Sequence, residues 1–117
     1  MNAVSLGSLI AALGVILGAF GSHSLRGRIG YDLLHFYETG TQYLLTHAFA
    51  ILLYGLSKAR AKWPLYCFGF GILIFTGSLF IMTFGGPRTL GAVTPIGGLL
   101  FIAGWIGFAL ETRTKKA

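Results

Sequence analysis

The sequence predicts an all-α protein, a polytopic four-helix transmembrane bundle with its N- and C-termini in the cytoplasm. The first observation is composition: 55% of the 117 residues are hydrophobic and only 10% are charged, whereas soluble domains carry about 25% charged residues. The second is that four apolar stretches alternate with short basic segments, and a helix needs about 20 residues to cross the ~30 Å hydrocarbon core. We therefore expect a single transmembrane domain, residues 1–117, surrounded by the lipid bilayer.

The first two spans are predicted at residues 3–22 and 39–57. The first stretch is uncharged, and it lacks the basic segment that opens a secretory signal peptide, so we expect it to be retained as a helix. Residues 29–39 are more polar and predict an interfacial helical entry to the second span. Arg28 and Asp32 are four residues apart and would pair on one helix face if the helix starts as early as Arg28.

The third and fourth spans are predicted at residues 64–86 and 94–111. A glycine pair followed by Pro87 is a strong stop signal for the third helix. Thr94 is a plausible N-cap for the fourth, with Pro95 at its first helical position. Trp105 lies deep enough in the fourth span to be a packing residue.

The distribution of basic residues predicts the orientation. Six lie on the side that holds both termini, and three lie on the other side. The positive-inside rule places the richer side in the cytoplasm, and this pattern suits a multi-pass protein of the bacterial inner (plasma) membrane. The six are Lys58, Arg60, Lys62, Arg113, Lys115 and Lys116, and the three are Arg26, Arg28 and Arg88.

Small residues recur within the apolar stretches at helical spacing, and Gly14 and Gly18 form a literal Gly-x-x-x-Gly motif. Because lipid provides no hydrophobic drive between helices, such residues mark faces where backbones approach closely. The pattern leaves open whether these faces pack inside one bundle or between copies. The predicted packing residues are Gly14, Gly18, Gly77, Gly97 and Gly104.

Polar residues form a stripe on the second helix. At 100° per residue, they share an arc of about 100° that should face the bundle or a water-filled cavity. Tyr43 and His47 flank this arc. The stripe contains Tyr31, His35, Glu38, Thr39, Gln42 and Thr46, and the candidate binding residues are His35, Glu38, Gln42, Tyr43, Thr46 and His47.

Three roles are open to this stripe. Its members could form interhelical hydrogen bonds that fix the register of the bundle. They could instead bind or translocate a proton, an ion or a small molecule, since intramembrane ionisable groups are often functional. A metal site is disfavoured, because His35 and Glu38 have ligand spacing but His47 is more than two turns further along.

No catalytic residue, metal or cofactor is predicted. The acidic residues number three, and Ser22-His23-Ser24 has no nearby carboxylate to orient the imidazole. Cys67 is the only cysteine, and no basic helix stripe points to nucleic acid. We expect a non-catalytic membrane protein that packs as a homo-oligomer or as an accessory component of a larger membrane complex; the alternative is a minimal transporter that uses the polar stripe.

Four segments resemble a family of small membrane proteins catalogued as domain of unknown function 423, which includes eukaryotic transmembrane protein 256. The resemblance implies four spans and no particular reaction, and it singles out His23, Tyr43, His47, Thr94 and Pro95. Leu44 and Phe80 depart from the family pattern, which more often has Gln and Tyr there. The four segments are Gly18-Ala19-Phe20-Gly21-Ser22-His23; Glu38 to Tyr43 with His47-Ala48; Thr76-Gly77-Ser78-Leu79-Phe80; and Val93 to Gly98 with Ala103-Gly104-Trp105.

Overall fold

The structure is a computed structural model that describes residues 1–113, most of which lie in helices, and it has no strand among them. The all-α prediction is confirmed for these residues, while Lys115 and Lys116 of the predicted cytoplasmic charge cluster lie outside them. The elements in chain order are α1 (Ala3–Phe20) with a π-helical turn (Gly21–Leu25), α2 (Tyr31–Leu56), α3 (Trp63–Gly71), a π-helical turn (Ile72–Thr76), α4 (Gly77–Thr83), a 3-10 turn (Arg88–Ala92) and α5 (Thr94–Thr112).

Three helical segments are long and apolar enough to cross a membrane, namely Ala3–Leu25, Trp63–Thr83 and Arg88–Thr112. The second of these is α3 and α4 together, which we call the α3–α4 helix. At 26 residues α2 is about 39 Å long, which also suffices, but its polar residues make it less apolar. It runs unbroken from Tyr31, so residues 31–39 form one rod with the rest of the helix.

The observed helix ends correct several predictions. Because α2 begins only at Tyr31, Arg28 precedes the helix and cannot share a face with Asp32; Asp32 pairs with Arg88 instead. Thr94 is itself the first residue of α5 and makes no capping bond, so Pro95 is the second helical residue rather than the first. The α3–α4 helix stops at Thr83, earlier than predicted, and Gly85 then turns the chain at a φ of +103°.

The helices pack in chain order, with α2 and the α3–α4 helix in the middle. Helix α1 packs along α2, α4 packs against α2, and α3 packs mainly against α5. The described chain measures 54 × 27 × 20 Å, so it is a flattened slab. Its main core cluster lies between these helices and consists of Leu44, Ala50, Ile51, Phe68, Ile72 and Phe101.

Glycines permit the closest of these contacts. A Cβ atom added to Gly14 would lie 2.6 Å from Leu45 of α2, and one added to Gly97 would lie 2.5 Å from the backbone nitrogen of Phe75. The ring of Phe68 likewise occupies the space that a Cβ atom of residue 104 would need, beside Gly104. The other two predicted packing glycines differ: Gly18 has only an ordinary contact, 3.6 Å from Thr41, and Gly77 faces open space.

Candidate functional site: the two sides of α2

The polar stripe of α2 lies on the outside of the helix arrangement. Tyr31, His35, Glu38, Gln42 and Thr46 are all exposed, and we call these five residues the outer face of α2. These five residues therefore do not pack inside the bundle, which is one of the two surroundings predicted for the stripe; the other, a water-filled cavity, stays a prediction. The reason is that α2 packs its apolar side on its neighbours, where the buried residues include Leu34, Tyr37, Leu44, Ala48 and Ile51.

The members of the outer face differ in how their polar atoms are satisfied. The Thr46 hydroxyl donates to the backbone oxygen of Gln42 at 3.0 Å, so it needs no further partner. Arg26 donates to the Glu38 carboxylate at 2.8 Å in an exposed ion pair. The Gln42 side chain, in contrast, forms no hydrogen bond within residues 1–113. It lies within one turn of the midpoint of the helix.

His47 lies on the other side, buried against α5 with 3% of its surface exposed. The Trp105 indole donates to His47 Nε2 at 3.0 Å. Because an indole nitrogen can only donate, Nε2 must be the accepting nitrogen. The imidazole proton therefore sits on Nδ1, which donates to the Tyr43 backbone oxygen at 2.7 Å.

Aromatic rings enclose the imidazole. The Phe101 ring stacks on it with ring centroids 3.6 Å apart and planes 9° apart, and the rings of Tyr43, Phe68 and Trp105 complete the surroundings. We call these five residues the His47 cluster. A second proton on Nε2 would put two donors face to face with Trp105, so this geometry holds the imidazole neutral and joins α2 to α5.

The predicted candidates do not form one site. His35 and Glu38 lie on the outer face, whereas His47 faces α5, so the disfavoured metal set is not brought together. Within residues 1–113, no three His, Cys, Asp or Glu side chains are placed to hold a metal ion. Tyr43 lies between the two regions, since the residue is 42% exposed while its ring stacks in the His47 cluster.

The remaining motif residues lie at the end of the protein where α1 stops and where α2 and α5 begin. His23 is exposed in the π-helical turn after α1. The hydroxyls of Thr94 and Ser78 hydrogen-bond each other and join α4 to the start of α5, where Pro95 is exposed. At this end the Arg88 guanidinium and the Leu33 backbone N–H donate to the Asp32 carboxylate and hold its pKa below the ordinary range.

Sequence reasoning missed the partners of these groups. Trp105, Arg26 and Ser78 were not among the candidate site residues, yet each bonds a residue that was named or a motif position. A signal for Trp105 existed, since an indole N–H deep in an apolar helix requires an acceptor. No comparable signal pairs Arg26 with Glu38.

Comparison with known proteins gives a consistent result. The family described as "Protein of unknown function (DUF423)" matches residues 17–98. A UPF0382 membrane protein of Staphylococcus epidermidis is 37% identical over 113 residues, covering 93% of each chain. The UPF0382 membrane protein YwdK of Bacillus subtilis is 38% identical over 112 residues, covering 88% of this chain and 89% of its own. No solved structure matches this chain.

Proposed function

We propose, from the premise that this chain belongs to the DUF423 family of membrane proteins of unknown function, that it is a non-catalytic, four-span protein of the bacterial inner membrane that assembles through the outer face of α2. The partner at this face is a second copy of the same chain, so that the assembly is a homodimer. An accessory role in a larger membrane complex would use the same face.

The observation that supports this proposal is the unpartnered amide of Gln42. If all four helical rods cross the bilayer, Gln42 lies near its middle, because it is close to the midpoint of a helix about 39 Å long. Polar side chains at that depth normally face other helices or water rather than acyl chains. In a lone copy Gln42 would face lipid, so a protein surface opposite it would be favourable.

A second copy of the same chain fits this surface. A carboxamide is both donor and acceptor, so two Gln42 side chains related by a two-fold axis along the membrane normal can bond each other reciprocally. His35, Gln42, Phe49 and Leu56 follow each other at intervals of seven residues, and all four are exposed. A seven-residue repeat is typical of helices that pack at about 20° in a left-handed pair.

The charge distribution supports four spans with cytoplasmic termini. Lys58, Arg60 and Lys62 lie in the connection between α2 and α3, at the same end as Arg113. At the opposite end, two of the three arginines are neutralised by ion pairs with Asp32 and Glu38. The unpaired positive charge of the described residues is therefore concentrated at the end that the positive-inside rule assigns to the cytoplasm.

Cysteine cross-linking in membranes tests the dimer. In a Cys67→Ala background, Gln42→Cys and Phe49→Cys should each give a disulfide-linked homodimer after mild oxidation. Leu99→Cys is the matched control, since Leu99 is exposed at a comparable depth on α5.

Equal dimer formation by Gln42→Cys and Leu99→Cys would contradict the proposed interface. A cross-link from position 42 to a different membrane protein, with no homodimer, would replace self-association by the accessory role.

Transport is a second candidate, and the outer face favours a path between copies over one inside a single chain. Two outer faces brought together would enclose Glu38, Gln42 and Thr46. Flux of protons or small ions into proteoliposomes should then require the dimer and fall in a Gln42→Leu variant. Flux that survives this substitution unchanged would remove the proposed path.

A further inference from the structure

A long apolar groove lies on the other flank of α2. It has a volume of about 1060 Å³, and its walls are α1 and the α3–α4 helix, with Leu44 and Ile51 of α2 at its floor. Helix α1 packs on α2 but makes little contact with the α3–α4 helix, and the groove lies in the space between these two. Pockets of about 300–1,000 Å³ hold drug-sized ligands, so this groove can take a molecule of that class.

Two glycines give the groove its depth. A Cβ atom added to Gly69 or to Gly77 would meet no other atom within 4 Å, and both residues line the groove. The glycines of α5 that contact the same helix behave differently, since Gly97 and Gly104 are filled by Phe75 and Phe68. The space beside Gly69 and Gly77 is therefore not used for packing within the described chain.

One mouth of the groove is basic. Arg60 and Lys62, from the connection between α2 and α3, line it together with Asn2. Both cations are exposed, and neither takes part in an ion pair within residues 1–113. The Tyr54 hydroxyl donates to the backbone oxygen of Ala61 at 2.7 Å and fixes the backbone between them.

We infer that this groove binds one anionic phospholipid, with its head group at Arg60 and Lys62 and an acyl chain along Gly69 and Gly77. The lining residues of α1 extend from Ala3 to Leu17, a distance of about 21 Å along a helix. One leaflet of the hydrocarbon core is about 15 Å deep, so the groove accommodates the full depth of an acyl chain. Basic pockets between membrane helices on the cytoplasmic side commonly hold such head groups.

Native mass spectrometry of the full chain, released from mild detergent, tests this inference with two probes: phosphatidylglycerol, which is anionic, and phosphatidylcholine, which is zwitterionic. The wild-type protein should retain one phosphatidylglycerol in preference to phosphatidylcholine. In the Arg60→Gln/Lys62→Gln variant this preference should fall by about fivefold for each cation removed. The matched control is Lys58→Gln/Arg113→Gln, which removes the same charge at the same end from two residues that do not line the groove, and it should keep the preference.

A second variant fills the groove instead of neutralising its mouth. Gly69→Leu/Gly77→Leu should lose both lipids while keeping its helical circular dichroism, because the added side chains enter open space and leucine favours helix over glycine. Leu99→Phe, on the exposed side of α5, is the control for added bulk.

Any of three results from these variants would overturn the inference, as would the phosphate result below. The three are equal retention of the two lipids by the wild type, loss of preference in the Lys58→Gln/Arg113→Gln control, and lipid retention by the filled groove equal to that of Leu99→Phe. If the filled variant does not fold, the Arg60→Gln/Lys62→Gln comparison decides. Inorganic phosphate at millimolar concentration should not displace the lipid; displacement would assign the site to free phosphate and refute the lipid. None of these results depends on dimerisation.

Discussion

Gln42 and His47 lie five residues apart on α2, yet the structure treats them in opposite ways. Both nitrogens of His47 are hydrogen-bonded, and aromatic rings enclose the imidazole. Gln42 points outward, and its amide has no partner within residues 1–113. The difference teaches that a polar residue in an apolar helix can serve two purposes: it can hold its own chain together, or it can leave a bonding requirement that only another molecule meets.

The largest expected effect is that of removing the satisfied group. His47→Ala leaves a cavity at a buried position and removes the acceptor of the Trp105 indole N–H, so we expect the free energy of unfolding to fall by about 2–3 kcal/mol. SDS titration in mixed micelles, followed by circular dichroism, measures it. Gln42→Ala is the matched control and should change the unfolding of the monomer by less than about 0.5 kcal/mol; equal losses would erase the distinction between the two residues.

Removing only the donor sharpens the comparison. Trp105→Phe keeps an aromatic ring but leaves His47 Nε2 without a partner, at a cost of about 1–2 kcal/mol. In the wild type, ¹⁵N NMR should show a neutral His47 protonated at Nδ1, and in Trp105→Phe that single tautomer should be lost. An Nε2-protonated ring in the wild type would contradict the hydrogen-bond assignment.

A smaller effect is expected on the outer face. Gln42→Leu should leave monomer stability intact but weaken association by about 1 kcal/mol, roughly a fivefold rise in the dissociation constant. Förster transfer between labelled copies in lipid vesicles measures the constant. Thr46→Val is the control, because the Thr46 hydroxyl is already bonded within α2; an equal loss in both variants would mean that Gln42 has no special role.

The smallest effect concerns the ion pair at the start of α2. Arg88 lowers the pKa of Asp32, so the pair's stabilisation is fully present above the ordinary carboxyl pKa of about 4 and is lost as the pH falls through the lower folded-state value. The thermal midpoint should therefore drop slightly more between pH 5 and pH 2 in the wild type than in Asp32→Asn. Parallel curves would show that the pair contributes nothing. Arg28→Gln, which removes an arginine that forms no ion pair within residues 1–113, should follow the wild type.

The sequence predicts the helices better than the site. Apolar stretches bounded by charged segments and by Gly85-Gly86-Pro87 predict helical rods, because an apolar run of that length has few alternatives. The same periodicity shows that His35, Glu38 and Gln42 share a face. It does not show which way that face points, since a polar face in a membrane can be satisfied inside the bundle, by water or by another protein molecule.

The missed contact between His47 and Trp105 has a physical cause. His47 and Trp105 are 58 residues apart, and their meeting depends on how α2 and α5 rotate about their axes. That rotation is set by where Gly97 and Gly104 let α5 approach Phe75 and Phe68. A single sequence shows where the small residues are, but it does not show which residues of other helices pack against them.

The π-helical turn at Ile72–Thr76 has a mechanical consequence. It inserts one residue into an otherwise regular rod, and each residue of a helix accounts for about 100° of rotation. The turn therefore changes, about halfway along the α3–α4 helix, which side of the helix its side chains face. On the N-terminal side of the turn, α3 packs mainly against α5. On its C-terminal side, α4 packs against α2. The α3–α4 helix thereby packs against two different neighbours, α5 and α2, whereas a helix of uniform pitch would have to bend to make both contacts.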